Sequence, residues 1–351
     1  MAGGSAMNTL TLRRPDDWHV HLRDGDALTA VARFTAERFG RAIVMPNLKP
    51  AITSAQLAGA YRQRILAALP AGSRFEPLLT LYLTRSTTTE EIDRAKSCGF
   101  IHGVKLYPAG ATTHSDAGVA DIKEVYSVLA RMEEIGMPLL VHGESPRSDI
   151  DVFDREPHFI DTVLAPLLER FPALPVVFEH ITTLRAVEFV GGARRGVAAT
   201  ITPQHLLHNR NAIFSGGIRP HYYCLPILKR EQDRQALLDA ATGGNPRYFL
   251  GTDSAPHERS MKENACGCAG MFTAHAAIEL YAEAFESAGR LDRLEAFASH
   301  FGADFYGLPR HADTITLIKE PWIGPEKIAF GSGSLIPYRA GEPIGWRLAR
   351  I

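Results

Sequence analysis

The sequence predicts an α/β protein built as a (β/α)8 TIM barrel with short N-terminal and C-terminal extensions. Three observations lead there. Eight short apolar or β-branched runs recur along residues 17–253. Amphipathic stretches separate most of them, so the hydrophobic period switches from 2 to 3.6 and back. The ends of six of the eight runs carry His, Lys, Asn or Asp, and neither GxGxxG nor GxxxxGK[ST] is present, which leaves a dinucleotide or P-loop site without support. Strands alternating with helices pair in parallel, and eight such units suit a closed barrel better than an open doubly wound sheet.

The elements follow in order. The first strand, 17–22, runs into Trp18-His19-Val20-His21-Leu22-Arg23-Asp24, and a helix covers Ala27–Phe39. Strand 41–46 ends in Met45-Pro46-Asn47. A helix over Ser54–Leu69 opens on the cap Thr53-Ser54. Strand 75–83 precedes a helix over Thr89–Cys98, capped by Thr87-Thr88 ahead of Glu90-Glu91 and closed by Gly99. Strand 100–107 carries Lys105-Leu106-Tyr107-Pro108. The helix Asp121–Ile135 opens on Asp121 and stops at Gly136. Strand 137–143 ends in His142-Gly143-Glu144, and a helix spans Glu156–Phe171. Strand 175–181 holds Phe178-Glu179-His180, strand 197–203 follows, and strand 247–253 ends in Gly251-Thr252-Asp253, with His257 further along its loop.

Beyond about residue 258 the pattern becomes a helical tail, Gly270–Ala288 and then Leu291–His300. A Gly/Pro-rich segment with apolar runs at Thr314–Ile318 and Lys327–Phe330 closes the chain. No low-complexity linker divides it. The expectation is one barrel domain over 1–351, with a flexible leader at 1–7 and a C-terminal segment, about 291–351, packed on the barrel.

Composition narrows the function classes. Apolar residues make up 45% of the 351, ample for a large core. A net charge of −1 and a pI near 6.9 argue against a nucleic-acid surface held by bulk positive charge. No apolar segment approaches the roughly 20 residues of a membrane helix. The leader lacks the basic and apolar regions of a secretory signal. Four cysteines (Cys98, Cys224, Cys266 and Cys268) are no disulfide framework in so long a chain, and Cys266-Gly-Cys268 lacks the CxxC spacing of a zinc knuckle. A reducing cytoplasm is the expected compartment.

The chemistry lies at the strand ends. On a strand, positions i and i+2 face one way. His19 and His21 therefore aim their imidazoles together, about 7 Å apart along the chain, with Arg23 next on that face. A lone HxH is most often a pair of satisfied core histidines, and a lone Asp after a strand is most often a cap. Here four histidines, one aspartate, one lysine and a nearby arginine share the carboxyl ends of barrel strands, where binding and reacting groups sit. Imidazole and carboxylate suit zinc better than calcium or magnesium. Lys105 is the odd member, since an ammonium beside two dications is repelled. A buried lysine can lose its proton, and the neutral amine can add carbon dioxide to become an anionic carbamate bridge. Two zinc ions then bring four positive charges against three negative ones from carbamate, Asp253 and hydroxide.

The stretches WHVHLRDG, MPNL, KLYPAGATT, LLVHGE, FEHIT and GTDSAPH, with RPHYYCLPILK and CGCAG, resemble the dihydroorotases of the amidohydrolase superfamily, in their short bacterial form. The resemblance runs from Leu12 to about Pro309. It implies reversible cyclisation of N-carbamoyl-L-aspartate to L-dihydroorotate with loss of water, a step of pyrimidine biosynthesis. It implies two zinc ions per subunit, bridged by N6-carboxylated Lys105 and hydroxide. His19, His21 and Asp253 would hold one ion, and His142 and His180 the other. Asp253 would also move the proton. Arg23, Asn47 and His257 would take the substrate carboxylate, and backbone groups near Leu225 and Ala269 would read the ring amide edge. Thr112 and Thr113, in the loop Pro108–Ser115, would close over the substrate. A small-molecule substrate, no nucleic acid, no membrane and a homodimer complete the implied picture. Gly110 stands where relatives are expected to carry asparagine, which would loosen that loop. The weighed alternatives are a hydantoinase-like or dihydropyrimidinase-like cyclic amide hydrolase and a non-catalytic assembly subunit.

Overall fold

The computed structural model describes residues 8–265 and 267–349. The leader at 1–7 and Cys266 lie outside the described residues, so the readings placed on them are not taken further.

Strand β1 (Thr9–Arg13) precedes eight parallel strands that follow sequence order around the barrel. These are β2 (Asp16–Val20), β3 (Arg41–Val44), β4 (Glu76–Tyr82), β5 (Ile101–Leu106), β6 (Leu139–Val141), β7 (Val176–Phe178), β8 (Val197–Ile201) and β9 (Tyr248–Leu250). Each expected run thus holds a strand. The ring is drawn together beyond β9, where Asp253 N donates to the His19 carbonyl (2.8 Å) and His21 N to that of Ser254 (3.0 Å).

Helices α1 (Gly25–Arg38), α2 (Ala55–Ala68), α3 (Thr89–Ser97) and α4 (Tyr126–Ile135) fall where the period predicts them. The caps at Ser54, Thr88 and Gly136 are those read from the sequence, whereas α1 opens on Asp24 and Asp121 caps a 3-10 turn over Ile122–Val125 that leads into α4. Ser54 Oγ accepts from Leu57 N, Thr88 Oγ1 from Glu91 N, and Gly136 ends α4 at φ 64. The stretch over Glu156–Phe171 is helical but contains a π-turn at Ile160–Leu164. The expected helix over Gly270–Ala288 starts only at Ala277. Its first residues are extended because Ser254 Oγ accepts from the amides of Thr273 and Ala274, and Met271 bridges to Ser254. Leu291–His300 is also broken, into a 3-10 turn and a π-turn, before a helix over Phe301–Tyr306.

Two apolar layers position the mouth. The outer layer packs strand residues such as Val44, Leu81, Val104 and Ile201 against the helices. The inner one fills the barrel with Trp18, Ile43, Leu78, Leu140, Val177 and Phe249, and residues 301–308 pack against it. Trp18 stacks on Tyr306 at 4.7 Å between centroids. Gly302 permits this approach, since a Cβ there would lie 2.0 Å from the indole. In the C-terminal segment, β10 (Thr314–Ile318) pairs antiparallel with β1 across five residue pairs.

Candidate active site

The donor groups converge at the carboxyl ends of the strands. β2 is not a regular strand there: its register shifts between Asp17 and Val20. Asp17 explains the shift, because its carboxylate accepts from His19 N and from both Thr252 N and Thr252 Oγ1. The strand closes at Val20, and His21 is held by Ser254. The two imidazoles end up 5.3 Å apart between centroids, closer than regular strand spacing along the chain gives.

His19, His21 and Asp253 bring ligand atoms within 4.8 Å of one another, all three buried. Asp253 Oδ1 lies 3.1 Å from His21 Nε2 and 3.4 Å from His19 Nε2. The second pair adjoins the first. His180 stacks edge-on between His19 and His142, at 5.0 and 4.8 Å. His142 Nδ1 and His180 Nε2 face each other at 3.2 Å. Ligands on a tetrahedral zinc, with zinc–nitrogen bonds near 2.0–2.1 Å, stand about 3.3 Å apart. All three spacings sit near that value.

Lys105 points into the same space from β5. It is fully buried, and its Nζ has no hydrogen-bond partner among the described residues. Burial pushes it down to about 8, against the opposing pull of Glu179 and Asp253. Burial, with Lys105 next in size, holds His19 and His180 well below the usual imidazole range. Neutral imidazoles are the form that binds a metal. Burial raises the Asp253 carboxyl, but the His21 hydrogen bond and the neighbouring imidazoles and lysine outweigh it and keep it low.

Three carboxylates that sequence reasoning left without a role organise this cluster. Glu179 Oε2 accepts from His19 Nδ1 at 2.8 Å and from Thr200 Oγ1 at 2.6 Å. That places the His19 proton on Nδ1 and turns the Nε2 lone pair toward Asp253. Glu144 does the opposite for His142, meeting Nε2 at 3.1 Å and leaving Nδ1 to face His180. Asp17 ties β2 to the segment after β9. The only sequence signal for the two glutamates was a carboxylate next to, or two residues past, a strand-end histidine.

Three contacts join the residues expected to bind substrate: Arg23 with His257, Asn47 with Thr113 and Thr113 with Ala269. Arg23 has φ 59, a left-handed conformation uncommon for a side chain of this size. It turns off the β2 line so that Nε donates to the Pro256 carbonyl (2.9 Å) and Nη2 to His257 Nε2 (3.0 Å). His180 (φ 41) and Asp253 (φ 45) share this conformation, which costs of order 1–3 kcal/mol each and clusters at functional sites. Asn47 Nδ2 donates to the Thr113 carbonyl at 3.3 Å. Thr113 Oγ1 in turn reaches the Ala269 carbonyl at 3.4 Å, so the loop spans the mouth. Thr112 is engaged within the loop, through Ser115. Leu225 meets the group indirectly, since Gly270 N donates to the nearby Tyr223 carbonyl. Gly110 has φ 76 with open space around it, a conformation that glycine and asparagine both tolerate.

The remaining histidines have ordinary partners or lie apart. His114 meets the Asn47 carbonyl, His221 pairs with Glu263, and His205 lies between Thr202 and the Pro226 carbonyl. A cavity of about 1200 Å³ lies elsewhere, among Phe34, Arg38, His275, Glu279, Trp322 and Leu348, and holds none of the convergent donors.

Eight parallel strands with imidazoles, a carboxylate and a buried lysine at one mouth define a barrel hydrolase of the metal-using kind. The comparisons with known proteins agree. Residues 17–324 match the amidohydrolase family. A dihydroorotase of Ralstonia nicotianae is 63% identical over 341 residues, spanning 97% of this chain and 99% of the relative. A crystal structure of dihydroorotase from Campylobacter jejuni superposes with a TM-score of 0.90 at 34% identity, covering 99% of each chain. One from Saccharomyces cerevisiae, in complex with 5-fluoroorotic acid, gives 0.89 at 32% identity over 98% of this chain and 100% of that one. The chain belongs to the amidohydrolase family and, within it, to the dihydroorotases, enzymes that act on a cyclic amide.

Proposed function

We propose that the protein interconverts N-carbamoyl-L-aspartate and L-dihydroorotate in pyrimidine biosynthesis, with two zinc ions at the barrel mouth. The observation that carries this reading is the donor spacing of 3.1, 3.4 and 3.2 Å among His21, His19, Asp253, His142 and His180. His19, His21 and Asp253 would hold one ion, and His142 and His180 the other. Lys105, carboxylated on Nζ, would bridge them; its unpartnered burial supports this, since a carbamate has two oxygens to offer where the amine has nothing to meet. Zinc there supplies Lewis acidity and lowers the pKa of water toward neutrality.

The chain's own groups do the rest. Asp253, kept ionised, takes the proton of the attacking water and delivers it to the leaving ring nitrogen in the hydrolytic direction. In the cyclising direction the transfers reverse. Arg23 has committed Nε and one Nη2 proton, leaving Nη1 and the second Nη2 proton to meet the substrate carboxylate. The Arg23 bond falls on His257 Nε2, so that nitrogen is an acceptor and the ring is neutral. The Pro108–Ser115 loop, anchored through Thr113, excludes water.

We read the chain as one domain, cytoplasmic and homodimeric. Unpaired Cys98, Cys224 and Cys268 suit a reducing compartment. No helix among the described residues is long and apolar enough to cross a membrane.

The direct test incubates purified protein with dihydroorotate and follows its ultraviolet absorbance. Loss of absorbance that a chelator stops and added zinc restores is expected; an inert protein, or one indifferent to the chelator, refutes the reading. Arg23→Met separates this substrate from a neutral one: KM for carbamoyl aspartate is expected to rise at least about tenfold more than KM for a neutral cyclic imide. Equal effects would favour a hydantoinase-like enzyme. Glu179→Ala is expected to weaken zinc binding about 10–100-fold, read by titration against a competing chelator. Wild-type affinity in that variant would remove Glu179 from the account.

A further inference from the structure

Lys262 stands out among the buried cations. It is 5% exposed and has no ion-pair partner among the described residues. Its Nζ instead donates to three backbone carbonyls, those of Tyr223 (3.0 Å), Cys268 (2.8 Å) and Gly270 (2.6 Å). An ammonium has three donors, and all three are spent on two loops. One loop carries Leu225 and the other Ala269. Gly270 N adds a direct stitch to the Tyr223 carbonyl, and Cys268 N one to that of Met261. The second loop is also fixed from below. Gly270, at φ 147, lies so close to the β9 loop that a Cβ would meet the Ala255 carbonyl at 2.7 Å and the His257 ring at 2.9 Å. Lys262 therefore sits behind the wall that carries His257, with Arg23 beyond it. Its charge bears on both neighbours: Lys262 is among the groups holding His257 down, and Arg23 among those that lower Lys262. Burial pushes Lys262 down only to about 8, so at neutral pH it remains mainly the ammonium.

We infer that Lys262 is a positioning residue for substrate recognition: it clamps the Leu225 and Ala269 loops in one relative register and places an unneutralised positive charge behind the carboxylate subsite. A buried cation satisfied by carbonyls alone costs desolvation that an apolar residue would not. Among the described residues no carboxylate pairs with it, so the charge projects toward the anionic substrate. The role touches binding more than chemistry, because none of its contacts reaches Asp253, Lys105 or the four histidines. It rests on the dihydroorotate reading above.

The test compares wild type, Lys262→Met and Lys262→Arg as metal-replete full chains, measuring kcat and KM for dihydroorotate hydrolysis, zinc content and thermal unfolding. Lys262→Met is expected to raise KM about tenfold or more while kcat falls less than about threefold. Its zinc content should match wild type. Lys262→Arg, which keeps a charged donor, should lie between the two in KM. Unchanged KM in folded Lys262→Met, or a loss confined to kcat, overturns the assignment. Failure of both variants to fold also overturns it, since that outcome belongs to a purely structural clamp. A wild-type protein inert toward dihydroorotate is a different result: it strikes at the functional reading itself.

Discussion

Lys105→Ala is expected to lower kcat/KM by about 10³-fold, the order that preorganised charge at a reacting centre supplies. The substitution removes the only group on β5 that reaches the donor cluster and leaves a space shaped for its stem. A short carboxylic acid such as acetate or propionate can enter that space and present two oxygens. Partial recovery of turnover on adding millimolar acid is therefore expected, saturating with acid concentration. The measurement is steady-state hydrolysis of dihydroorotate with and without the acid. Full activity in the unsupplemented variant would remove the lysine from the mechanism, and a loss without any rescue would assign it a packing role instead.

Asp253→Asn is the second large effect. The amide keeps the shape of the side chain and can still face His21 and His19, but it cannot accept and return a proton. A loss of about 10²–10⁴-fold in kcat is expected, the range of a general acid–base group, with KM changed far less. The left-handed backbone at Asp253 tolerates asparagine well, so the fold should persist. A variant with kcat near wild type would move the proton transfer to another group.

The fold was largely legible because its signals are local. Each barrel strand is a short apolar run bounded by polar residues, and the side-chain caps lie within three residues of the amides they serve. Ser54, Thr88 and Asp121 act over that distance. The segment after Gly270 was misread as helix because Met271, Phe272, Ala274 and Ala276 are apolar at helical spacing. Met271 instead bridges to Ser254 and the chain turns at Ala274–Ala276, an arrangement set by Ser254, close in space and distant in pattern.

The site divides the same way. Six donors could be named because His, Lys and Asp at strand ends are chemically conspicuous. Glu179 could not, because its role depends on His19, 160 residues away in sequence. Asp17 works through Thr252, across the barrel seam. The backbone irregularity of β2 and the positive φ of Arg23 also follow from tertiary contacts that no periodicity reports. The Asn47 bond to the Thr113 carbonyl, 66 residues away in sequence, is likewise invisible to periodicity.

The central claim is that six side chains from five strands gather two zinc ions around a carboxylated lysine. Crystals grown from unchelated protein, with anomalous scattering recorded at the zinc edge, address it most directly. Two anomalous peaks are expected, one beside His19, His21 and Asp253 and one beside His142 and His180, with continuous density beyond Lys105 Nζ joining them. A bare Lys105 amine with no scatterer nearby, in protein that still hydrolyses dihydroorotate, would contradict the account.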